Sequence, residues 1–216
     1  MGGLLLTLND GEDLMGSSIR KKIFRRLQKW RVRWYRMMLS EHRGKAWEGL
    51  HAAQPVQING EGAVTIGDPS NKVVFGWNRS PGYHTGYCYV EARFPRANIT
   101  IGGGTFFNNC CTVIANSTSI EFGRNCRIGY GCSFFDSDFH GIHPEDRDLP
   151  GDKLPDAPVK IGDDVFIGSN VTVLKGVSIG NGCVIGAGSV VSKSIPPMMV
   201  AAGNPCRGIK EIPNHE

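Results

Sequence analysis

A six-residue pattern of aliphatic and polar positions runs from Ile161 to Val191. An aliphatic residue opens each unit, Gly follows it in four of the five units, and a small or β-branched residue stands four places after the opener. An exact short period is typical of a solenoid, whereas a helix would need apolar spacing near 3.6 residues and fewer Gly. The pattern therefore predicts short strands joined by tight turns, with three units in each triangular coil. The openers are Ile161, Ile167, Val173, Ile179, Ile185 and Val191.

Two earlier coils show the same spacing, with three extra residues near 115–119 widening one corner. The period fails after Phe134 and returns only at Ile161. An excursion of this length without secondary structure of its own is usually functional or disordered, and its four Pro restrict the backbone. We therefore predict a rigid protruding arm over residues 135–158. The openers of these two coils are Ile101, Phe107, Val113, Phe122, Ile128 and Phe134.

The pattern also sets the expected organisation of the chain, an all-β solenoid with an N-terminal α-helix and a protruding loop. Before residue 99 the strand signals, such as Val56–Ile58, alternate with turn formers and show no clean period. The predicted divisions are a tail and helix (1–43), a linker and irregular β segment (44–98), the coil with its arm (99–195), and a C-terminal cap (196–216).

A basic amphipathic helix is predicted over residues 18–41, after a loose segment at residues 1–17. Its apolar side chains recur at helical spacing and form a stripe, while nine Lys and Arg cover the remaining surface. Such a helix either packs its stripe on the coil or on a neighbouring subunit, or lies on an anionic membrane surface. The stripe consists of Ile19, Ile23, Leu27, Trp30, Trp34 and Met38.

Composition and charge narrow the class of protein. The net charge is +4 with its excess near the N-terminus, so the body carries no basic field for nucleic acid. The seven Cys form no CxxC pair, and several occupy the small position four places after an opener, which predicts reduced core cysteines in the cytoplasm. No run is long enough to span a bilayer, and Leu4–Leu8 is too short for a signal peptide. The cysteines at that position are Cys111, Cys126, Cys132 and Cys183.

The repeats, together with the run Ala187–Arg207 that includes Ala202-Gly-Asn-Pro-Cys, resemble the hexapeptide-repeat acyltransferases, in particular the galactoside, maltose and polysaccharide O-acetyltransferases. The resemblance covers residues 99–212. It implies a left-handed parallel β-helix, acetyl-CoA as cosubstrate, a saccharide acceptor, no required metal, and a homotrimer with active sites between subunits. The expected activity is O-acetylation of a sugar hydroxyl in polysaccharide biosynthesis. The expected location is the cytoplasm, at the inner face of the membrane if the helix binds lipid.

The arm carries the candidate catalytic histidine. In the O-acetyltransferases the catalytic His is followed seven places later by an Arg, and His140 and Arg147 reproduce that spacing. His143 is the rival, because His143–Pro144 is similar to the His-Pro dipeptide often found at the catalytic position. We assign the base to His140 and expect His143, Arg147 and Asp138 to contact substrate. Gly141 departs from the family, which often has Pro there.

The chemistry explains why a histidine is expected. A sugar hydroxyl must lose its proton as it attacks the thioester, and an imidazole with a pKa near 6.5 takes that proton at neutral pH and passes it to the departing thiolate. One ring nitrogen faces the hydroxyl, so the other needs an acceptor that fixes the tautomer. Asp136, Asp138 and a backbone carbonyl are the candidate acceptors.

The remaining candidates follow from the resemblance. Asn108 matches the family Asn that reaches the active site and would stabilise the oxyanion; Asn109 is the alternative if the register slips by one, and an ordinary turn role is the competing interpretation. Small residues at two turns would allow close approach of pantetheine, and cations near the C-terminus would bind its phosphates. The cofactor set is Ser169, Ala187, Ser192, Lys193, Arg207 and Lys210.

Three other functions remain open. The same base would serve an amine, so N-acetylation of an aminosugar or antibiotic is the runner-up. A γ-type carbonic anhydrase needs three His on zinc, but His140 and His143 are too close together and His84 is poorly placed. A non-catalytic solenoid scaffold would bind no coenzyme.

The aromatic side chains of Gly76–Tyr87 either stack on a sugar or pack within the protein.

Overall fold

The computed structural model describes residues 13–42 and 44–213, so most of the predicted tail and the last three residues of the cap lie outside the described residues. Helix α1 (Asp13–Trp34) continues as a π-helical turn (Tyr35–Leu39), and a short 3₁₀ helix (Gly44–Trp47) leads into the strands. The strands are β1 (Leu50–Ala52), β2 (Val56–Asn59), β3 (Ala63–Ile66), β4 (Val73–Phe75), β5 (Cys88–Ala92), β6 (Asn98–Ile101), β7 (Phe106–Phe107), β8 (Thr112–Ala115), β9 (Ser119–Phe122), β10 (Arg127–Ile128), β11 (Ser133–Phe135), β12 (Val159–Ile161), β13 (Phe166–Ile167), β14 (Thr172–Val173), β15 (Ser178–Ile179), β16 (Val184–Ile185), β17 (Val190–Val191), β18 (Met199–Gly203) and β19 (Cys206–Glu211).

Successive strands from β1 to β17 belong in turn to sheets A, B and C, which confirms the predicted β-solenoid. Sheet A has the order β1-β4-β7-β10-β13-β16-β18-β19, sheet B the order β17-β14-β11-β8-β5-β2, and sheet C the order β15-β12-β9-β6-β3. The parallel pairs among β1 to β17 join strands three places apart in the chain, so that Ile167 lies between Ile128 and Ile185, and β18 continues sheet A beside β16. At the C-terminal end β19 pairs antiparallel with β18 and ends sheet A.

The repeat openers point into the coil and form its core. Ile167, Val173 and Ile185 are fully buried, while Phe166, one place before an opener, is half exposed. Burial of each such aliphatic side chain stabilises the fold by about 1.5–3 kcal/mol. Four openers of the N-terminal coils are aromatic and pack against one another, with Phe75 stacked on Phe107 at a ring-centroid distance of 4.6 Å and the other contacts edge-on at 4.8–5.0 Å. The four openers are Phe75, Phe107, Phe122 and Phe134.

Two requirements at each turn explain the polar half of the repeat. The residue after the opener must allow the next coil to approach, and a Cβ at Gly168 would lie 2.6 Å from the backbone nitrogen of Ala187. Two places later the backbone is left-handed, as at Asn170 with φ 58°, which Gly and Asn adopt with least strain. The sequence pattern is therefore the steric pattern of stacked coils.

The coil begins well before residue 99, which corrects the predicted irregular segment over residues 44–98. β1 to β6 occupy the same three sheets as the later strands. The period is hidden there because the loop at residues 76–87 separates β4 from β5 within one coil. The predicted cap likewise contributes β18 to sheet A, with Val200 beside Val184.

The cysteines lie where the repeat places them. All seven are free, and all except the half-buried Cys110 are buried. Burial raises the pKa of the thiols of Cys111, Cys126 and Cys183, which keeps them protonated and weakly nucleophilic.

Native protein is therefore expected to react with a disulfide reagent such as dithionitrobenzoate at no more than one thiol, Cys110, whereas denatured protein should release chromophore from all seven. The Cys110→Ser variant should remove the native signal. Rapid labelling of two or more thiols in the folded protein would contradict this placement of the cysteines.

Candidate functional site

The candidate residues lie along two edges of the triangular coil. We call the turns that join sheet A to sheet B the AB edge (residues 53–55, 76–87, 108–111, 129–132, 168–171 and 186–189), and those that join sheet B to sheet C the BC edge (60–62, 93–97, 116–118, 136–158, 174–177 and 192–194). Asn108, Ser169 and Ala187 lie on the AB edge. His140 and Lys193 lie on the BC edge. One copy of the chain therefore does not bring His140 and Asn108 to the same edge.

The arm at residues 136–158 folds back on the BC edge and is held at both ends. The buried carboxylate of Asp136 accepts hydrogen bonds from the backbone N–H groups of Asn116, at 2.5 Å, and Thr118, at 2.8 Å. Farther along, the Asn116 side chain donates to the Gly151 carbonyl at 2.7 Å. The Lys175 ammonium joins both ends, contacting the Asp138 carboxylate at 2.6 Å and the Pro155 carbonyl at 2.7 Å. These contacts fix the arm relative to the coil.

His140 is exposed on this arm, and its tautomer is set by the main chain. Its Nδ1 lies 3.1 Å from the Arg147 carbonyl oxygen, which can only accept, so Nδ1–H donates and Nε2 carries the basic lone pair. The two other candidate acceptors are already engaged, Asp136 by the turn at residues 116–118 and Asp138 by Lys175. The spacing of seven residues between His140 and Arg147 thus has a geometric basis in a backbone contact.

The segment between His140 and Arg147 explains the glycine that departs from the family pattern. A 3₁₀ turn (Pro144–Asp146) reverses the chain and brings the Arg147 carbonyl back toward His140. Gly141 lies against this turn, and a Cβ there would be 2.4 Å from the Cβ of Asp146. The side chain of His143 is exposed, and its carbonyl accepts from the Asp146 N–H.

The neighbouring asparagines on the AB edge have different roles. Asn109 is fully buried; its amide nitrogen donates to the carbonyls of Trp77, Ser80 and Pro81, and its oxygen accepts from the Trp77 N–H. Asn108 is half buried, and its Oδ1 accepts from the Asn109 N–H at 2.7 Å. Its Nδ2 has no hydrogen-bond partner within the described part of the chain. Asn108 is therefore the one with a donor to offer a ligand.

The sequence pattern also marks Asn108 as unusual. Gly follows the sheet A opener in the second, fourth, fifth and sixth coils, at Gly76, Gly129, Gly168 and Gly186, and Asn108 interrupts this column. A polar side chain in a column that has Gly in four of the six coils is a departure from the steric rule of the repeat.

A cavity of about 450 Å³ opens beside Asn108 on the outer face of sheet A. Trp77 lines it with half of its surface exposed, and its ring meets Phe106 edge-on at 6.2 Å. Val74 and Arg127 complete this wall. Val74, Phe106 and Arg127 were not among the residues predicted from the sequence. Each directly precedes an opener, which marks it as an outward residue of sheet A.

Comparisons with known proteins agree with this architecture. Residues 158–193 match the family model described as the hexapeptide repeat of succinyl-transferase. A hexapeptide-repeat-containing acetyltransferase of Vibrio cholerae O1 biovar eltor, solved with acetyl coenzyme A, is 21% identical with a TM-score of 0.52, and the match covers 92% of each chain. This protein has the hexapeptide-repeat acetyltransferase fold. A galactoside acetyltransferase solved with coenzyme A is 26% identical with a TM-score of 0.50, over 89% of this chain and 82% of that one.

In this hexapeptide-repeat coil the predicted cofactor residues do not all lie on the same edge. Ser169 and Ala187 lie on adjacent turns of the AB edge. The turn of the β18–β19 hairpin reaches the same edge, since the Gly203 N–H donates to Ser189 Oγ at 3.0 Å. Arg207 lies opposite Ala202 on that hairpin, and Lys210 lies opposite Val200. Ser192 and Lys193 are exposed on the BC edge instead.

The donor set offers no metal centre in the described part of the hexapeptide-repeat chain. Within residues 13–42 and 44–213 no cluster of three or more His, Cys, Asp or Glu side chains is placed to hold an ion. The carboxylates nearest His140 in sequence already have polar partners, because Asp136 accepts backbone N–H groups and Asp138 pairs with Lys175.

Proposed function

We propose that the protein is an acetyl-CoA-dependent O-acetyltransferase that acts on a sugar hydroxyl in polysaccharide biosynthesis, with direct transfer in a ternary complex. The observation that carries this proposal is the contact of His140 Nδ1 with the Arg147 carbonyl, which leaves Nε2 as a base on an exposed arm. The galactoside acetyltransferase solved with coenzyme A supports the class of substrate and cosubstrate. Seven free cysteines support a cytoplasmic location, where thiols stay reduced.

The transfer requires one base and one oxyanion donor. Nε2 of His140 removes the proton from the sugar hydroxyl as its oxygen attacks the thioester carbonyl carbon. The resulting oxyanion accepts a hydrogen bond from Asn108 Nδ2. When the carbon–sulfur bond breaks, the imidazolium of His140 returns the proton to the thiolate. The products are the O-acetyl sugar and coenzyme A, and no covalent enzyme intermediate is needed.

A second copy of the chain completes this site in our proposal. His140 and Asn108 lie on different edges of one coil, so the BC edge of one copy must meet the AB edge of another. A contact between two different surfaces closes into a ring when the rotation allows it, and the three-sided coil favours a ring of three. The homotrimer would thus have three sites, with acetyl-CoA lying between adjacent subunits.

We place the sugar acceptor in the cavity beside Asn108, with the exposed ring of Trp77 as its stacking surface. The Trp77→Ala variant is expected to raise KM for the sugar about tenfold, a loss of about 1.4 kcal/mol, while KM for acetyl-CoA stays the same. Steady-state kinetics with both substrates varied would measure this.

Tyr87 provides a matched control for Trp77. It is an exposed aromatic residue of the same loop, but its ring faces Tyr35 of the π-helical turn at 5.2 Å and does not line the cavity. Tyr87→Ala should leave the KM for the sugar within about twofold of the original value. An equal change in both variants, or a change in the KM for acetyl-CoA only, would contradict the placement of the acceptor.

The class of acceptor can be identified by a screen that measures thiol release from acetyl-CoA. Free sugars, nucleotide sugars, lipid-linked oligosaccharides and aminosugars should be compared side by side. We expect hydroxyl acceptors to give the fastest release. Exclusive activity with an amine would replace O-acetylation by N-acetylation, and no release with any acceptor would count against an acetyltransferase.

A further inference from the structure

Helix α1 is attached to the coil by one defined face. Gln28 is buried and donates to the carbonyls of Tyr83, at 2.9 Å, and Ala53, at 3.1 Å. Arg31 donates to the carbonyls of His84, at 2.5 Å, and Gly86, at 2.9 Å. Directional hydrogen bonds from two successive turns of the helix fix its rotation about its own axis. The rest of the helix circumference is therefore held in a fixed orientation, with the face opposite these two residues directed away from the coil.

A flank of the helix about 100° around from Gln28 and Arg31 is apolar. The predicted stripe does not pack on the coil of its own chain: the exposed fractions are 51% for Ile23, 51% for Leu27, 58% for Trp30 and 42% for Trp34. The rings of Trp30 and Trp34 stack at 5.2 Å, and the apolar surface continues into the π-helical turn with Met38, which is 59% exposed. A continuous exposed apolar patch of this kind marks an interaction surface.

Cations border the stripe. Lys22, Arg26, Lys29 and Arg33 are exposed, and each precedes a stripe residue by one position, about 100° around the helix. They form a row beside the apolar face. From residue 14 to residue 40 the sequence has nine Lys and Arg and no Asp or Glu, so no acidic side chain within that segment offsets them. The partner must therefore combine an apolar interior with negative charge.

No helix in the described ranges has the length and apolar character that spanning a bilayer requires. A second copy docked through the same face would set two cationic rows against each other, which is unfavourable. An anionic lipid surface has acyl chains for the stripe and phosphates for the row. We propose that the exposed face of residues 19–38 binds in the plane of an anionic phospholipid membrane.

Co-sedimentation of the full-length protein with vesicles tests this proposal. We expect binding to phosphatidylcholine vesicles that contain phosphatidylglycerol to be at least about tenfold tighter than to pure phosphatidylcholine vesicles, and to weaken as salt is raised. The variant Lys22→Gln, Arg26→Gln, Lys29→Gln is expected to lose about 100-fold in affinity for the anionic vesicles. The variant Trp30→Ala, Trp34→Ala should lose at least about tenfold.

Each variant has a matched control outside the helix. Lys72→Gln, Arg124→Gln, Lys160→Gln removes two Lys and one Arg from exposed positions, as the helix variant does, and Ile142→Ala, Ile209→Ala removes two exposed apolar side chains. Both controls should bind anionic vesicles like the unmodified protein. Sedimentation velocity should show the same assembly for every variant, which also verifies folding.

Two outcomes would overturn the proposal. Equal losses in the helix variants and their controls would mean that the helix is not the membrane contact. If the unmodified protein binds no vesicles and Trp30→Ala, Trp34→Ala dissociates its assembly, the occupant of this face is a second copy. Acetyl transfer to a soluble acceptor should persist in the helix variants, so this test is independent of the proposed activity.

Discussion

Replacement of His140 by Ala is expected to lower kcat by about 10²–10⁴-fold and to leave the affinity for acetyl-CoA nearly unchanged. His140 Nε2 is the proposed base, whereas the residues expected to hold the cofactor lie at other positions on the coil and hairpin. Thiol release measures turnover, and calorimetric titration with coenzyme A measures binding. A loss of both properties together would indicate a structural role for His140.

His143 on the same arm is the matched control. Its side chain is exposed, but the Arg147 carbonyl orients His140 alone. His143→Ala is expected to change kcat by less than about tenfold. Near-normal turnover in His140→Ala, or a larger loss in His143→Ala, would defeat the assignment and favour the rival base.

Replacement of Asn109 by Ala is expected to lower the free energy of unfolding by about 3 kcal/mol. The variant leaves the carbonyls of Trp77, Ser80 and Pro81 and the Trp77 N–H without their common partner. The loop at residues 76–87 loses its attachment to the turn that carries Asn108. Chemical denaturation followed by circular dichroism would measure the change.

Asn108→Ala should show the opposite pattern. Its side chain is half buried and makes one hydrogen bond, to the Asn109 N–H, so the stability loss should stay near 1 kcal/mol. Turnover should fall by about 10²–10³-fold, because one oxyanion donor is removed. If Asn109→Ala keeps full stability and loses turnover, then the catalytic register is shifted by one residue.

The coil and the positions of its buried cysteines could be predicted from the sequence. Every coil imposes the same local demands, an inward apolar residue and a turn with room for the next coil, so the chain repeats them every six residues. The burial of Cys111, Cys126 and Cys183 follows from the same rule. The arm after Phe134 and the loop at residues 76–87 both interrupt the period, and the second interruption hides the coils before residue 99, where the sequence predicts an irregular segment.

Contacts between distant parts of the chain were not in the pattern. Sequence spacing linked His140 to Arg147, but only the fold showed that the link is a backbone carbonyl, with Asp136 and Asp138 engaged elsewhere. Asn108 and Asn109 are the same residue type at neighbouring positions, so the sequence does not distinguish them. They differ in the structure because the loop at residues 76–87 folds over Asn109.

The N-terminal helix shows the same division. Its amphipathic period is local and was visible in the sequence, but the period does not say which face meets the coil. That choice depends on hydrogen bonds that Gln28 and Arg31 donate to the carbonyls of Tyr83 and His84, more than fifty residues away in the sequence. A steric requirement that recurs in every coil produces a repeating sequence pattern and can be predicted from it. The partner of a hydrogen bond between distant segments is determined only by the stacking of the coils.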